Sequence, residues 1–88
     1  MKKIPKNEFA TIADMCASKL YTEVRAFTTE LERLHHKGNS FNYEEVLFLC
    51  YKFGVDVQEA YPQEDRAMLL SEQERIMTKI YGNERTLW

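Results

Sequence analysis

Glycine and proline are scarce in this 88-residue chain, three and two respectively; cysteine occurs twice and tryptophan once. A β-sandwich needs a turn signal about every eight to twelve residues, so a shortage of turn residues excludes it and leans the chain toward helices. Cys16 and Cys50 stand too far apart for a metal motif and have no further thiols beside them. No apolar run approaches the roughly 20 residues that span a bilayer. The basic start Met1-Lys2-Lys3-Ile4-Pro5-Lys6 leads into Asn7-Glu8, not into a signal-peptide stretch. The expected location is cytoplasmic, with both thiols reduced and unpaired.

A surplus of basic charge is missing as well. The net charge is −2 and the isoelectric point about 5.7. Residues 1–40 carry seven Lys/Arg against five Asp/Glu, and residues 41–88 carry five against nine, so the halves stand at +2 and −4. Phosphate neutralisation usually requires a stronger basic excess. The acidic half suits a basic partner surface or simple solubility.

What is present is helical period. Phe9, Ile12, Cys16, Leu20, Val24, Phe27, Leu31 and Leu34 recur at steps of three and four, which average about 3.6, the α-helical repeat. Neither glycine nor proline interrupts residues 7–37, and His35, His36, Lys37 and Gly38 form a cationic end and a stop. The pattern predicts one long helix over 7–37, or a kinked one. At 1.5 Å per residue its inner 29 residues, 8–36, alone make about 43 Å, against a diameter of ~30 Å for a compact domain of this size. It must therefore break, with Ala17-Ser18 the expected place, or a second copy must cover the overhang. A homodimer with Glu23 near its seam is the expectation that follows.

Further along, Asn42 followed by Glu45 has the form of a capping box for a second helix over 42–53, closed by Gly54. Asp56 starts a short helix over 56–61 that Pro62 stops, and a closing helix is expected over 65–81, whole or divided near Leu70, before a patternless tail, 82–88. The fold class expected is all-α: a single domain built as a small antiparallel helical bundle with a long N-terminal helix and two to three shorter ones.

Residues 42–61, with the opening Glu44-Glu45-Val46-Leu47 and the junction Phe53-Gly54-Val55-Asp56, resemble the closing two helices of lambda-repressor-type DNA-binding domains. The resemblance implies an earlier helix-turn-helix, with Ala17-Ser18 as its turn and residues 21–34 as the recognition helix. That helix would set Arg25 and Arg33 against Glu23, Glu30 and Glu32, a net repulsion from phosphate, and DNA binding ranks second on this ground.

Catalytic and metal constellations are weak. Glu32 and His35 have a Glu-x-x-His spacing, but di-iron bundles need that motif twice. Cys16 lies within the apolar stripe, where a thiol is an inert small hydrophobe. No phosphate loop or triad order is present, so no catalytic, cofactor or metal residue is assigned. Five Phe and five Tyr exceed what a thin core needs to hide; Tyr21, Met15, Tyr51 and Phe48 lie off the main apolar faces. Aromatic residues outside a core are typical of protein interfaces. The sequence therefore reads first as a non-enzymatic, protein-binding regulator, an inhibitor or adaptor of the kind phages and mobile elements carry. Its expected partner contacts are Tyr21, Arg25, Tyr51, Glu64, Asp65 and Trp88. A structural oligomer subunit ranks third.

Overall fold

The apolar period of residues 9–34 is kept, but the single helix expected to carry it is not. The structure is a computed structural model and describes residues 3–34, 38 and 40–85, with 83–85 as backbone only. Where one helix over 7–37 is expected, three short ones lie: α1 (Lys6–Ile12), α2 (Ala17–Arg25) and α3 (Thr28–Arg33). A straight rod of about 43 Å does not fit a molecule whose longest dimension is 37 Å.

The first break is a helix-ending motif formed without glycine. Asp14 adopts φ 58°, in the left-handed region. The Asp14 amide donates to the Thr11 carbonyl (3.1 Å), and the Met15 amide reaches back to that of Ala10 (2.9 Å). These two bonds satisfy carbonyls that the end of α1 leaves open. Aspartate tolerates this conformation better than most residues, so its identity hides the stop from a search for glycine. The second break falls at Ala26-Phe27, where amides bond three residues back and the Thr28 hydroxyl donates to the Arg25 carbonyl (2.9 Å). A side chain thus occupies a carbonyl that a continuing helix would use.

Past the breaks, the chain makes a strand pair that the sequence pattern does not signal. β1 (Ile4–Pro5) pairs antiparallel with β2 (Ser40–Phe41), in register Ile4 with Phe41 and Pro5 with Ser40. The pair ties the start of α1 to the start of α4 (Tyr43–Phe53). The capping box expected at α4 is present: Glu45 donates its amide to Asn42 Oδ1 and accepts the Asn42 amide on Oε1, each at 2.9 Å. Asn42 Nδ2 also donates to the Leu34 carbonyl (2.9 Å), so one side chain joins the end of α3 to the head of α4. Gly54, at φ 69°, ends α4 with the Val55 amide on the Cys50 carbonyl (2.8 Å), the same closure that Asp14 makes.

Next come α5 (Val57–Ala60), capped by Asp56, and α6 (Arg66–Arg85). Here α6 is the longest helix; it does not divide near Leu70, and it runs through Gly82 to Arg85, where a tail from 82 was expected. The helical period ends at Tyr81, yet no proline follows, and a glycine inside a helix costs only about 1 kcal/mol. The protein is thus mainly α-helical, but its long helix is C-terminal.

The core forms around α4, in which residues 45–50 are all buried. A helix buried on every side must be surrounded by others. On one side α6 packs with Leu69, Ile76, Met77 and Ile80, and Gln73 Nε2 donates to the Leu47 carbonyl (2.8 Å). On the other, all five phenylalanines join in one chain of ring contacts: Phe41–Phe9 (5.6 Å), Phe9–Phe53 (6.3 Å), Phe53–Phe27 (6.1 Å) and Phe27–Phe48 (5.8 Å). Phe48, placed off the apolar face by its spacing, is fully buried.

Asp14 should report on the first break. Replacing Asp14→Gly relieves the left-handed strain and should raise stability by a few tenths to about 1 kcal/mol, whereas Asp14→Val should lower it by about 1–2 kcal/mol. A thermal melt reads both, at about 4–8 °C per kcal/mol for a domain of this size.

Candidate functional site

α1 and α2 are joined by four residues, Ala13 to Cys16, with the left-handed Asp14 among them. Two short helices joined by a turn of this length have the connectivity of a helix-turn-helix. Phe9 and Ala10 of α1 and Leu20 of α2 are buried, and Val24, Ala13 and Met15 pack partly against them. The turn precedes the place expected for it at Ala17-Ser18, and the second helix is Ala17–Arg25, not 21–34.

The shift changes the electrostatics. Glu30, Glu32 and Arg33 belong to α3 and are no longer part of the second helix. The Tyr81 hydroxyl donates to the Glu30 carboxylate (2.8 Å), and Arg33 donates to the Ile80 carbonyl (2.8 Å). What remains on α2 is Lys19 and Arg25 against Glu23, a balance of +1. At about 100° per residue, Ser18, Thr22 and Arg25 fall on the arc opposite Leu20 and Val24, and Glu23 falls to one flank beside Lys19. All of these outward residues are exposed.

The cations of the fold are used unevenly. Arg66 pairs with Asp56 (3.2 Å), Lys79 with Glu44 (3.8 Å), and Arg75 with Glu72 and Glu44. Lys52 Nζ sits over the rings of Tyr81 (4.8 Å), Phe27 (5.6 Å) and Phe48 (5.7 Å). Among the described residues, Lys6, Lys19 and Arg25 have no carboxylate within ion-pair distance. Lys6 Nζ lies over Tyr21 at 5.7 Å and Phe41 at 5.6 Å, an arrangement that holds the ammonium in place without neutralising it. Lys6, Tyr21, Val24, Arg25, Thr28 and Leu31 line an open cleft of about 520 Å³ along α2, with Glu32 its only carboxylate.

Of the expected contact residues, Tyr21, 49% exposed, and Arg25 come together in this cleft. The others do not join them. Tyr51 is 59% exposed on α4. Glu64 lines a separate cleft of about 290 Å³ with Lys3, Glu8 and Tyr61. Asp65 accepts the Met68 amide (3.3 Å) at the head of α6, which gives it a capping role. Trp88 and His35 lie outside the described residues. Lys6, Ser18, Lys19 and Thr22 were not among the expected contacts, because their membership of one short two-helix unit depends on where the helix breaks. The one signal for them is Asp14, an aspartate able to take glycine's place in a turn.

Cys16 corrects the sequence reading of an inert buried thiol. It is exposed at the head of α2, 3.4 Å from the Ser18 hydroxyl, and that hydrogen bond, with the Lys19 amide next, draws its pKa below the usual thiol value. Cys50 is buried, and desolvation pushes it up to about 12. Among the described residues no three His, Cys, Asp or Glu side chains gather closely enough to hold a metal ion, and no helix is long and apolar enough to cross a membrane. No family model matches the chain, and neither a curated protein nor a solved structure does.

The two thiols should separate cleanly by reactivity. At neutral pH an aromatic disulfide reagent should titrate Cys16 at once, and Cys50 only after denaturant is added. Two fast thiols in the native protein would place Cys50 outside the core. Because the fold holds Cys50 neutral, its contribution to stability is complete below the ordinary thiol value near 9.0 and fades as pH rises toward about 12.

Proposed function

We propose that this protein is a helix-turn-helix DNA-binding regulator that acts by binding and not by catalysis. The observation that carries the reading is the α1–turn–α2 unit, whose second helix presents an exposed polar face flanked by cations without carboxylate partners. A helix of this kind enters the major groove while the first helix crosses the backbone. The repulsion that ranked DNA binding second set Glu23, Glu30 and Glu32 against Arg25 and Arg33; Glu30, Glu32 and Arg33 belong to α3, and Glu23 alone of the three carboxylates stays on α2. A cytoplasmic location goes with this reading.

One copy offers few phosphate contacts. Lys6 and Lys19 supply two, which leaves a single domain in the non-specific range of about 10⁻⁴–10⁻⁶ M. We therefore include in the proposal that two copies bind together, on half-sites about 10 base pairs apart. The earlier ground for a homodimer, an overhanging helix, no longer exists, because the stripe folds back on itself at Asp14 and Phe27.

A second reading, a protein-binding inhibitor or adaptor, is favoured by Tyr51, the one exposed residue of a helix otherwise buried or half-buried. A solvent-facing tyrosine is a common anchor of protein interfaces.

Fluorescence anisotropy with mixed-sequence duplex DNA separates the two readings. Binding at about 50 mM salt is expected, weakening as salt rises with a log–log slope of about −2 per copy. Light scattering of the complex should give a protein mass about twice the 10.5 kDa chain. No signal up to about 100 µM protein would remove the DNA reading, since even non-specific binding is tighter than that.

A further inference from the structure

Resting on the DNA-binding reading, we infer that Arg25 is the specificity-determining residue, reading a guanine in the major groove. In the same docking, Lys6, steadied by Tyr21, holds a neighbouring phosphate.

Within the stripe of α2 that points away from the core, hydrogen-bonding capacity is unequal. The Thr22 hydroxyl donates to the Ser18 carbonyl (3.0 Å), and the Ser18 hydroxyl is shared with the Cys16 thiol (3.4 Å). Neither keeps a donor fully free for a base, although the Thr22 oxygen retains a lone pair. Arg25 is different. Its side chain is exposed, with neither hydrogen bond nor ion pair among the described residues, so all five N–H donors are available. A guanidinium with a free fork matches the O6 and N7 acceptors of guanine, which is the commonest specific major-groove contact.

Lys6 is suited to the other task. Its ammonium lies about equally far from the Tyr21 and Phe41 rings, which fixes a point charge in place without offering it a hydrogen-bond acceptor. A point charge suits phosphate, where two-pronged geometry is not needed. Lys6 and Arg25 line the same cleft with Tyr21, so a duplex seated over it meets both. Unpaired cations pick this face over the α6 side, where Arg66, Arg75 and Lys79 are already paired with carboxylates, and Glu23 and Glu32 share the face with them. Glu32, on the cleft wall, disfavours a phosphate deep in the cleft and leaves its Lys6 rim as the place for one.

The test begins with selection of duplexes from a randomised pool by the wild-type chain. Anisotropy then follows on the selected duplex and on its single-base variants, with wild type, Arg25→Ala, Arg25→Lys and Lys6→Ala. Arg25 has no side-chain partner to lose, and circular dichroism should show each variant folded. Wild type should prefer guanine at one position by about 5- to 150-fold. Arg25→Ala should flatten that preference, and Arg25→Lys should restore only part of it. Lys6→Ala should weaken every duplex alike and reduce the salt slope by about 1. If Arg25→Ala weakens all duplexes equally and keeps the guanine preference, Arg25 is a phosphate contact and the inference falls while the DNA-binding reading stands. If wild type retains no duplex from the pool at about 50 mM salt, both fall together.

Discussion

The phenylalanine chain is the contact on which the remaining structure depends. Phe41 of β2, Phe9 of α1, Phe53 of α4, Phe27 at the α2–α3 junction and Phe48 of α4 touch in that order, and Phe48 reaches Tyr81 of α6 at 6.5 Å. Each edge contact adds about 0.5–1.5 kcal/mol beyond simple burial. Their joint effect is geometric: to bring Phe9 and Phe27 onto the same helix α4, the chain between them must turn back on itself. A straight helix would separate them by about 27 Å. The breaks at Asp14 and Phe27 are how an apolar stripe longer than the molecule is folded into a core of limited size.

From that fold follows the division of charge. α4 and α6 pack closely, and their rim is laced by Glu44, Glu72, Arg75 and Lys79. Exposed pairs of this kind contribute little stability, but they neutralise Arg75 and Lys79, as Asp56 does Arg66. Lys52 is taken up by three rings and Arg33 by a carbonyl. The cations along α1 and α2 receive no such partners, because the core needs only the inner side of those helices. The α1–turn–α2 unit is balanced in charge, with Lys6, Lys19 and Arg25 against Glu8, Asp14 and Glu23; what sets it apart is that, among the described residues, its cations are not paired.

Several local features could be read directly because their chemistry is local. The Asn42–Glu45 capping box, the stop at Gly54 and the Asp56 cap depend on residues within four positions of one another, and all three are present. The exposure of Tyr21, Arg25 and Tyr51 was legible from helical spacing for the same reason. The β1–β2 pair was not legible, since it joins residues about 36 positions apart through two-residue strands too short to show alternation. Phe48 and Cys16 were misplaced for opposite reasons. α4 is surrounded on nearly every side and so buries its supposed outer face, whereas α2 begins at Cys16 and turns that thiol toward solvent.

The sequence by itself determined that the chain is helical, where α4 and α5 begin, and which residues have the apolar character to form a core. Those properties come from side-chain period and from hydrogen bonds between near neighbours. Only the tertiary structure decided where the first apolar run is cut. A 3.6-residue period is nearly unchanged by a left-handed residue that re-enters helix a few positions later, so periodicity alone does not register the cut. The turn position, the membership of α2 and the sign of charge on its outer face all depend on that cut, which is set by the space that Phe9 and Phe27 must share around α4.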